Sequence, residues 1–179
     1  MTTVAFLVAH EGVEQIELTR PWQDVQEAGA VPHLLSTTDG TVQGFDHLDA
    51  ADTFEVDRQV SEASIDDYDL VVLPGGVANP DALRQDPDAV AFVRAALDEG
   101  TPVAAICHAP WMLVEADAVR GRTVTSWPSL RTDLRNAGAN WVDEEVVVDR
   151  EGPGPLITSR KPDDLDAFGK AVVAELDGR

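Results

Sequence analysis

The stretch LVVLPGG at residues 70–76 joins four apolar residues to a proline and two glycines. Such a short, unbroken apolar run predicts a β-strand that is buried on both faces, and its Pro-Gly-Gly end predicts a turn. TPVAAIC at residues 101–107 has the same character. Between them, residues 87–99 place apolar side chains at helical spacing and end before Gly100, which predicts a helix. Two such strands joined by a helix indicate a parallel sheet.

The same alternation of strands and helices extends along the chain. Residues 38–62 are predicted to hold a hairpin and an edge strand, and residues 146–149 and 156–159 a second hairpin. We therefore predict an α/β fold, with a mostly parallel sheet covered by helices on both faces, formed by residues 1–179 as a single domain. Further strands are predicted at residues 4–8, 31–36 and 124–127, and further helices at residues 15–28, 130–137 and 162–176 and directly after residue 107.

The composition is strongly acidic, with 33 Asp and Glu against 13 Lys and Arg and a net charge of -20. A surface of this sign disfavours nucleic acid and anionic membranes as partners, and because the acids are scattered they indicate a solvated surface. No apolar stretch approaches the ~18 residues of a membrane helix, and the N-terminus lacks the basic region of a signal peptide. One cysteine forms no internal disulfide, and no Cys/His spacing predicts a metal site or a cofactor. We expect a cytoplasmic protein.

The single cysteine, Cys107, is predicted to lie where a buried strand passes into a helix. Ligands bind beyond the carboxyl ends of the strands in an open parallel sheet, so this junction places the sulfur at a ligand site. The A-I-C-H-A sequence has small residues, Ala105 and Ala109, where a nucleophile elbow needs them. The helix N-terminus is expected to lower the pKa of the thiol. The alternative is a buried structural cysteine, which the neighbouring His108 makes less favourable.

Histidines and glutamates near the strand ends supply candidate partners for the sulfur. None of the four histidines follows His108, so a downstream base of the glutamine amidotransferase type is excluded, and the base is His108 or, less favourably, His10. Glu14 and Glu17 follow the first strand and are expected to share a helical face. A carboxyl aimed at the sulfur would need a proton, and burial would raise its pKa. The alternative is a solvated acidic first turn.

Four long segments in one order resemble the PfpI family, within the class I glutamine amidotransferase-like superfamily. The resemblance implies a flavodoxin-like three-layer sandwich that assembles as a homodimer or homohexamer. It covers almost the whole chain. The segments are LVVLPGG, PVAAICHAPWMLVEA, VRGRTVTSWPSLRTDLRNAGANWVDEEVVVD and LITSRKPDDL.

The resemblance also implies roles for particular residues. Cys107 matches the nucleophile and His108 the adjacent histidine, and Glu17 matches the acid that contacts the sulfur. Asp81 aligns with a carboxylate that a neighbouring subunit contributes to a Cys-His-acid triad, although it is shorter than expected. Gly75 and Gly76, with the N–H of His108, match the oxyanion hole, Glu14 a second pocket glutamate, and Trp127 a pocket aromatic that is usually Tyr. The usual C-H-G-P motif reads C-H-A-P.

Three functions are compatible with these residues. The first is glyoxalase or deglycase chemistry, in which the sulfur adds to a small aldehyde such as methylglyoxal and Glu17 carries protons. The second is an intracellular peptidase that forms an acyl-enzyme on Cys107, with His108 as base. The third is a non-enzymatic stress protein that senses oxidation of Cys107. The shorter carboxylate of Asp81 favours the aldehyde chemistry over the peptidase.

Overall fold

Seven strands form the central sheet of the chain in a computed structural model that describes residues 1–177. All neighbouring strands are parallel except the first pair, which is antiparallel. The predicted mostly parallel sheet and the hairpin after residue 146 are thereby confirmed. The last two residues of the predicted domain lie outside the described residues. In spatial order the strands are β11 (Val146–Asp149), β12 (Leu156–Ser159), β8 (Val103–Ile106), β7 (Leu70–Leu73), β1 (Thr3–Val8), β3 (Val31–Ser36) and β6 (Arg58–Gln59).

Helices cover both faces of this sheet. Alternate residues of β1 divide between two cores, because Val4 and Phe6 face one layer whereas Ala5 and Leu7 face the other. Five of the six parallel strands follow the strand order of flavodoxin-like folds, β3-β1-β7-β8-β12, which confirms the predicted three-layer sandwich. Within residues 1–177 no helix is long and apolar enough to cross a membrane. One layer contains α1 (Gln15–Glu27) and α6 (Leu165–Asp177), and the other α2 (Ala78–Leu83), α3 (Pro87–Asp98), α4 (Pro110–Glu115) and α5 (Arg131–Asn136).

A small three-stranded sheet lies beside the carboxyl end of β1. It consists of β2 (Glu11–Glu14), β4 (Thr41–Asp46) and β5 (Asp49–Glu55), and the last two form an antiparallel hairpin. This hairpin and the edge strand β6 confirm the prediction for residues 38–62. The sequence did not indicate β2, whose short polar run resembles a loop.

The predicted strand at residues 124–127 is wrong beyond Val124. The structure has only a two-residue strand there, β9 (Thr123–Val124), which pairs with β10 (Asn140–Trp141). Beyond it the chain bends toward the end of β8, and the N–H of Trp127 donates to the Cys107 carbonyl at 2.8 Å. Pro128, which has no N–H to donate to a neighbouring strand, then begins a 3₁₀ turn.

The junction after β8 is a sharp elbow at Cys107. Its φ of 64° lies in the left-handed region, which costs an L-residue about 1–2 kcal/mol. Two backbone hydrogen bonds hold it there: the Cys107 N–H donates to the Ser159 carbonyl at 3.0 Å, and the Cys107 carbonyl accepts the N–H of Trp127. Ala105 and Ala109, on either side, are buried. The predicted strand-to-helix elbow is therefore present, with α4 beginning at Pro110.

We expect Cys107→Gly to be more stable than Cys107→Ala by about 1 kcal/mol, because glycine adopts a positive φ without steric cost. Both variants remove the sulfur, so the comparison isolates the backbone. Urea unfolding at equilibrium measures the difference. Ala105→Gly, in the regular part of β8, is the control and should lower stability. A Cys107→Gly variant less stable than Cys107→Ala would contradict a strained elbow.

Candidate functional site

One cavity of about 700 Å³ opens at the carboxyl ends of β1, β7 and β8. Since these strands are parallel and adjacent, the segments that follow them meet at the same edge of the sheet. The cavity brings together nearly all the residues that the sequence singled out. Its predicted lining residues are Glu14, Glu17, Gly76, Asp81, Cys107, His108 and Trp127, and Gly75 lies directly behind them.

The thiol of Cys107 contacts the imidazole of His108. The Sγ atom lies 3.1 Å from Nδ1, and both side chains are buried. Burial lowers the pKa of His108, so the imidazole is neutral near neutral pH and can accept a proton. The predicted Cys-His pair is therefore formed within one chain, as required of a nucleophile and its base.

Ser129 contacts the other nitrogen of the same imidazole. Its Oγ atom lies 3.4 Å from Nε2 of His108. If the Ser129 hydroxyl accepts a hydrogen bond from the Nε2–H, then Nδ1 carries no proton and faces the sulfur. The sequence analysis missed Ser129; its place two residues after Trp127 was the available signal.

The pKa of the Cys107 thiol is raised, which corrects the expectation that the helix N-terminus would lower it. Burial is the main cause and the negative charge of Glu17 the second. The N–H groups of Gly76 and His108 act in the opposite direction but are outweighed. The helix offers little help because α4 has only six residues and begins at Pro110, beyond the sulfur.

Glu17 is completely buried beside the thiol. Neither of its carboxyl oxygens has a partner in hydrogen-bonding geometry. Burial, with the charge of Glu14 second, raises the pKa of Glu17 to about 8, while the Cys107 thiol and the N–H groups of Gly75 and Gly76 oppose the rise. The carboxyl therefore keeps its proton near neutral pH, as expected for a carboxyl aimed at the sulfur, and a solvated first turn is excluded.

The missing side chain of Gly75 leaves room for the carboxyl of Glu17 beside the thiol of Cys107. A Cβ atom at this position would lie 2.6 Å from Cys107 Cβ and would overlap Glu17 Oε2. Any side chain there would push the two reactive groups apart. The two predicted oxyanion glycines differ in what they face: the N–H of Gly75 acts on Glu17, whereas that of Gly76 acts on both Glu17 and the sulfur.

Asn79 fixes the loop that carries these glycines. It is fully buried in α2, and its Nδ2 donates to the carbonyls of Pro74 at 2.9 Å and Gly75 at 3.1 Å. Its Oδ1 accepts the N–H of Ala9, at the end of β1, at 2.7 Å. The side chain therefore ties β1 to the loop after β7. The sequence analysis missed this residue, which has no signal outside its three-dimensional contacts.

Glu14 lies at the end of β2 and not on a helical face with Glu17, which corrects that expectation, because α1 begins only at Gln15. Its carboxylate accepts the N–H of His47 at 3.2 Å and lies 3.6 Å from Nδ1 of that side chain. Glu14, Asp46 and His47 place one ligand atom each within 4.8 Å of one another, so these three could hold a divalent ion. The sequence analysis predicted no metal site here.

Aromatic rings hold His108 from two sides. Trp127 stacks on the imidazole with ring centroids 5.6 Å apart and an interplanar angle of 23°, and Trp111 lies 5.3 Å away at a tilted angle. Trp127 is therefore a pocket aromatic, as predicted. His10, the less favoured candidate for the base, is exposed and is not among the described residues that line the cavity.

Asp81 lies in the first turn of α2 and lines the same cavity from an exposed position. Within residues 1–177 its carboxylate has no hydrogen-bond or ion-pair partner. A contact with His108 of the same chain is absent from this part of the structure, so the triad stays a prediction that requires a second copy of the chain.

Known proteins are similar to this chain along nearly its whole length. Deglycase PH1704 of Pyrococcus horikoshii is 39% identical over 170 residues, covering 95% of this chain and 96% of its own. The putative cysteine protease YraA of Bacillus subtilis is 36% identical over 167 residues, covering 93% and 94%. A crystal structure of a two-domain Anabaena variabilis protein, with DJ-1/ThiJ/PfpI-like and ferritin-like domains, matches with a TM-score of 0.89 and 36% identity; it covers 98% of this chain and 50% of that protein.

The model of the DJ-1/PfpI family matches residues 2–175. Together with the fold and the elbow cysteine, this match confirms the resemblance that the sequence motifs indicated. The chain belongs to the DJ-1/PfpI family.

Proposed function

We propose that the chain is a cysteine-dependent enzyme that acts on carbonyl carbon, by glyoxalase or deglycase chemistry. The observation that supports it most is the placing of one thiol between a neutral imidazole, 3.1 Å away, and a buried carboxyl that keeps its proton. The relatives named deglycase and putative cysteine protease support an enzyme of this kind. Cys107, His108 and Glu17 are the proposed catalytic residues.

The reaction begins when Cys107 attacks the aldehyde carbon of a ketoaldehyde. The Sγ–C bond forms as the C=O double bond becomes a single bond, and the thiol proton passes to Nδ1 of His108. The raised pKa of the thiol means that this transfer accompanies the attack and does not precede it. The N–H groups of Gly76 and His108, which act on the sulfur, are placed to stabilise the oxyanion.

Glu17 then moves protons within the adduct. The hydrogen on the first carbon leaves as a proton and the second carbon gains one, while the carbonyl oxygen of the second carbon gains the proton that His108 took from the thiol. The oxyanion on the first carbon becomes a carbonyl again, so the first carbon is oxidised to a thioester while the second is reduced. Water cleaves the thioester, releases a hydroxy acid and restores the thiol. The steps balance without an external oxidant. A carboxyl with a pKa of about 8 can both give and take protons near neutral pH.

The peptidase is the second candidate, favoured by the presence of Asp81 in the same cavity. It requires that a neighbouring copy bring this carboxylate to His108. We propose a homodimer or homohexamer, and Leu48, which is 95% exposed beside the cavity, supports a surface that a second copy covers. A cytoplasmic, stress-protective role with aldehyde or peptide substrates is part of the same proposal. Redox sensing through Cys107 stays a prediction.

We expect D-lactate release from methylglyoxal, with Cys107→Ser lowering the rate by about 10³-fold or more because the nucleophile is lost. Fluorogenic peptides, tested on the same samples, measure the peptidase alternative. Glu17→Gln should lose the aldehyde reaction, because the amide cannot exchange a proton. Wild-type rates no higher than those of Cys107→Ser on both kinds of substrate would rule out the enzyme.

Ser129→Ala should lower kcat by about tenfold with little change in KM, because the imidazole loses the contact that orients its tautomer. Ser129→Thr, which keeps the hydroxyl, is the matched control and should retain activity.

The activity of Asp81→Asn tests the carboxylate from a neighbouring copy, and light scattering measures the mass of each variant. An unchanged Ser129→Ala beside an impaired Asp81→Asn oligomer would assign the orienting role to Asp81.

A further inference from the structure

The cavity above Cys107 is lined by acids without basic residues to balance them. The ionisable side chains on its wall and rim, apart from the catalytic groups, are Glu11, Glu14, Asp81 and His47. Among residues 1–177, no lysine or arginine lines it. The chain has a net charge of -20 but still contains eleven arginines and two lysines. Because residues 1–177 contribute none of them to this wall, the wall differs from the rest of the surface.

These carboxylates are only weakly neutralised. Glu11 and Asp81 have no ion-pair partner within the described part of the chain, and Glu14 has only His47, 3.6 Å from it. The guanidinium of Arg84 lies 5.7 Å from the ring centroid of Trp111, a residue of the wall, but it is paired with Glu115 at 3.2 Å. The field inside the cavity is therefore negative, and a concave wall concentrates it.

The remaining wall is apolar and larger than a small aldehyde requires. The volume of about 700 Å³ lies within the range of sites for drug-sized molecules, so room is left beyond the reacting carbonyl. Two indole rings, Trp111 and Trp127, can stack against an apolar arm or a cation. The apolar lining residues are Phe45, Leu48, Val77, Trp111, Trp127 and Pro162.

Glu17 gives a second and independent indication at the floor of this cavity. It lines the cavity and is fully buried, and neither carboxyl oxygen has a partner in hydrogen-bonding geometry, although the Cys107 thiol and the N–H groups of Gly75 and Gly76 act on it. A substrate that brought a carboxylate of its own would add a negative charge near Glu14 and would have to be buried beside the uncharged Glu17. One that brought a cation would offset the charges already present.

We propose that this cavity selects carbonyl compounds that carry a positive charge on an apolar arm, and rejects those that carry a carboxylate. The proposal rests on the proposed function, since it names the class of substrate for the same nucleophile. Glu11, Glu14 and Asp81 supply the attraction, and the two indole rings hold the arm. We expect these wall charges to change the concentration of a charged substrate near the sulfur by about tenfold or more.

Charged thiol reagents test the cavity without requiring turnover. The trimethylammonioethyl and sulfonatoethyl methanethiosulfonates have similar arms and opposite charges. Each transfers its thioalkyl group to the sulfur as a disulfide and releases methanesulfinate. Cys107 is the only cysteine in the chain, so the mass increase reports one site. After normalisation to a small free thiol, we expect the cationic reagent to label Cys107 about tenfold faster or more, and the ratio to fall with added salt.

Matched variants separate the cavity from the general charge of the protein. Glu11→Gln removes one charge from the rim and should reduce the ratio of the two rates. Glu99→Gln removes one exposed charge that directly follows α3 and precedes the amino end of β8, away from the cavity. It should leave the ratio unchanged. Equal normalised rates for the two reagents, failure of both to label Cys107, or a ratio that Glu11→Gln does not alter would each overturn the proposal.

A substrate series distinguishes this proposal from the proposed function. Phenylglyoxal and its para-trimethylammonium and para-carboxylate derivatives differ mainly in charge and give mandelic acids that can be quantified. We expect kcat/KM to be highest for the cation and lowest for the anion. Turnover of all three with equal kcat/KM would keep the proposed function and reject charge selection. Faster labelling of Cys107 by the cationic reagent, with no hydroxy acid formed from any of the three compounds, would keep charge selection and reject the proposed function.

Discussion

A buried carboxyl and a thiol meet beside the Gly75 backbone, in the space that a side chain at this position would take, and the geometry of the site depends on that contact. The loop is held by Asn79, which bonds both to it and to the end of β1, while Cys107 is held by the elbow after β8. A Cβ atom at Gly75 would overlap Glu17 and press on Cys107. Three adjacent strand ends are thus fixed relative to one another, which places acid, loop and nucleophile within reach of one bound carbonyl.

Burial determines the protonation of this site. The two groups that become anions when they lose a proton, Cys107 and Glu17, both have raised pKa values, mainly because neither is solvated. The neighbouring His108 is shifted the other way for the same reason. The resting site therefore holds a thiol, a neutral imidazole and a protonated carboxyl, with no isolated buried charge. Each proton is stored beside the atom that would lose or gain it during attack on a carbonyl.

The fold was largely predictable because its signal is local. The apolar runs in β7 and β8 identify strands that are buried on both faces, and the elbow follows from their ends. Contacts between distant segments were not predictable. Asn79 and Ser129 act through partners that are far away in the sequence, and the direction of the Cys107 pKa shift depends on burial and on Glu17. Glu14 was misplaced because the sequence did not indicate the short strand β2, which holds this residue outside α1.

The protonation of Glu17 is the central claim, and infrared difference spectroscopy between the wild type and Glu17→Gln measures it directly. The account predicts the C=O band of a protonated carboxylic acid near neutral pH. The band should be lost as the pH rises through about 8, because burial raises the pKa to that value. A band that is present about two pH units below this pKa and absent about two pH units above it would agree with a protonated Glu17. Carboxylate bands from Glu17 throughout the neutral range would contradict it.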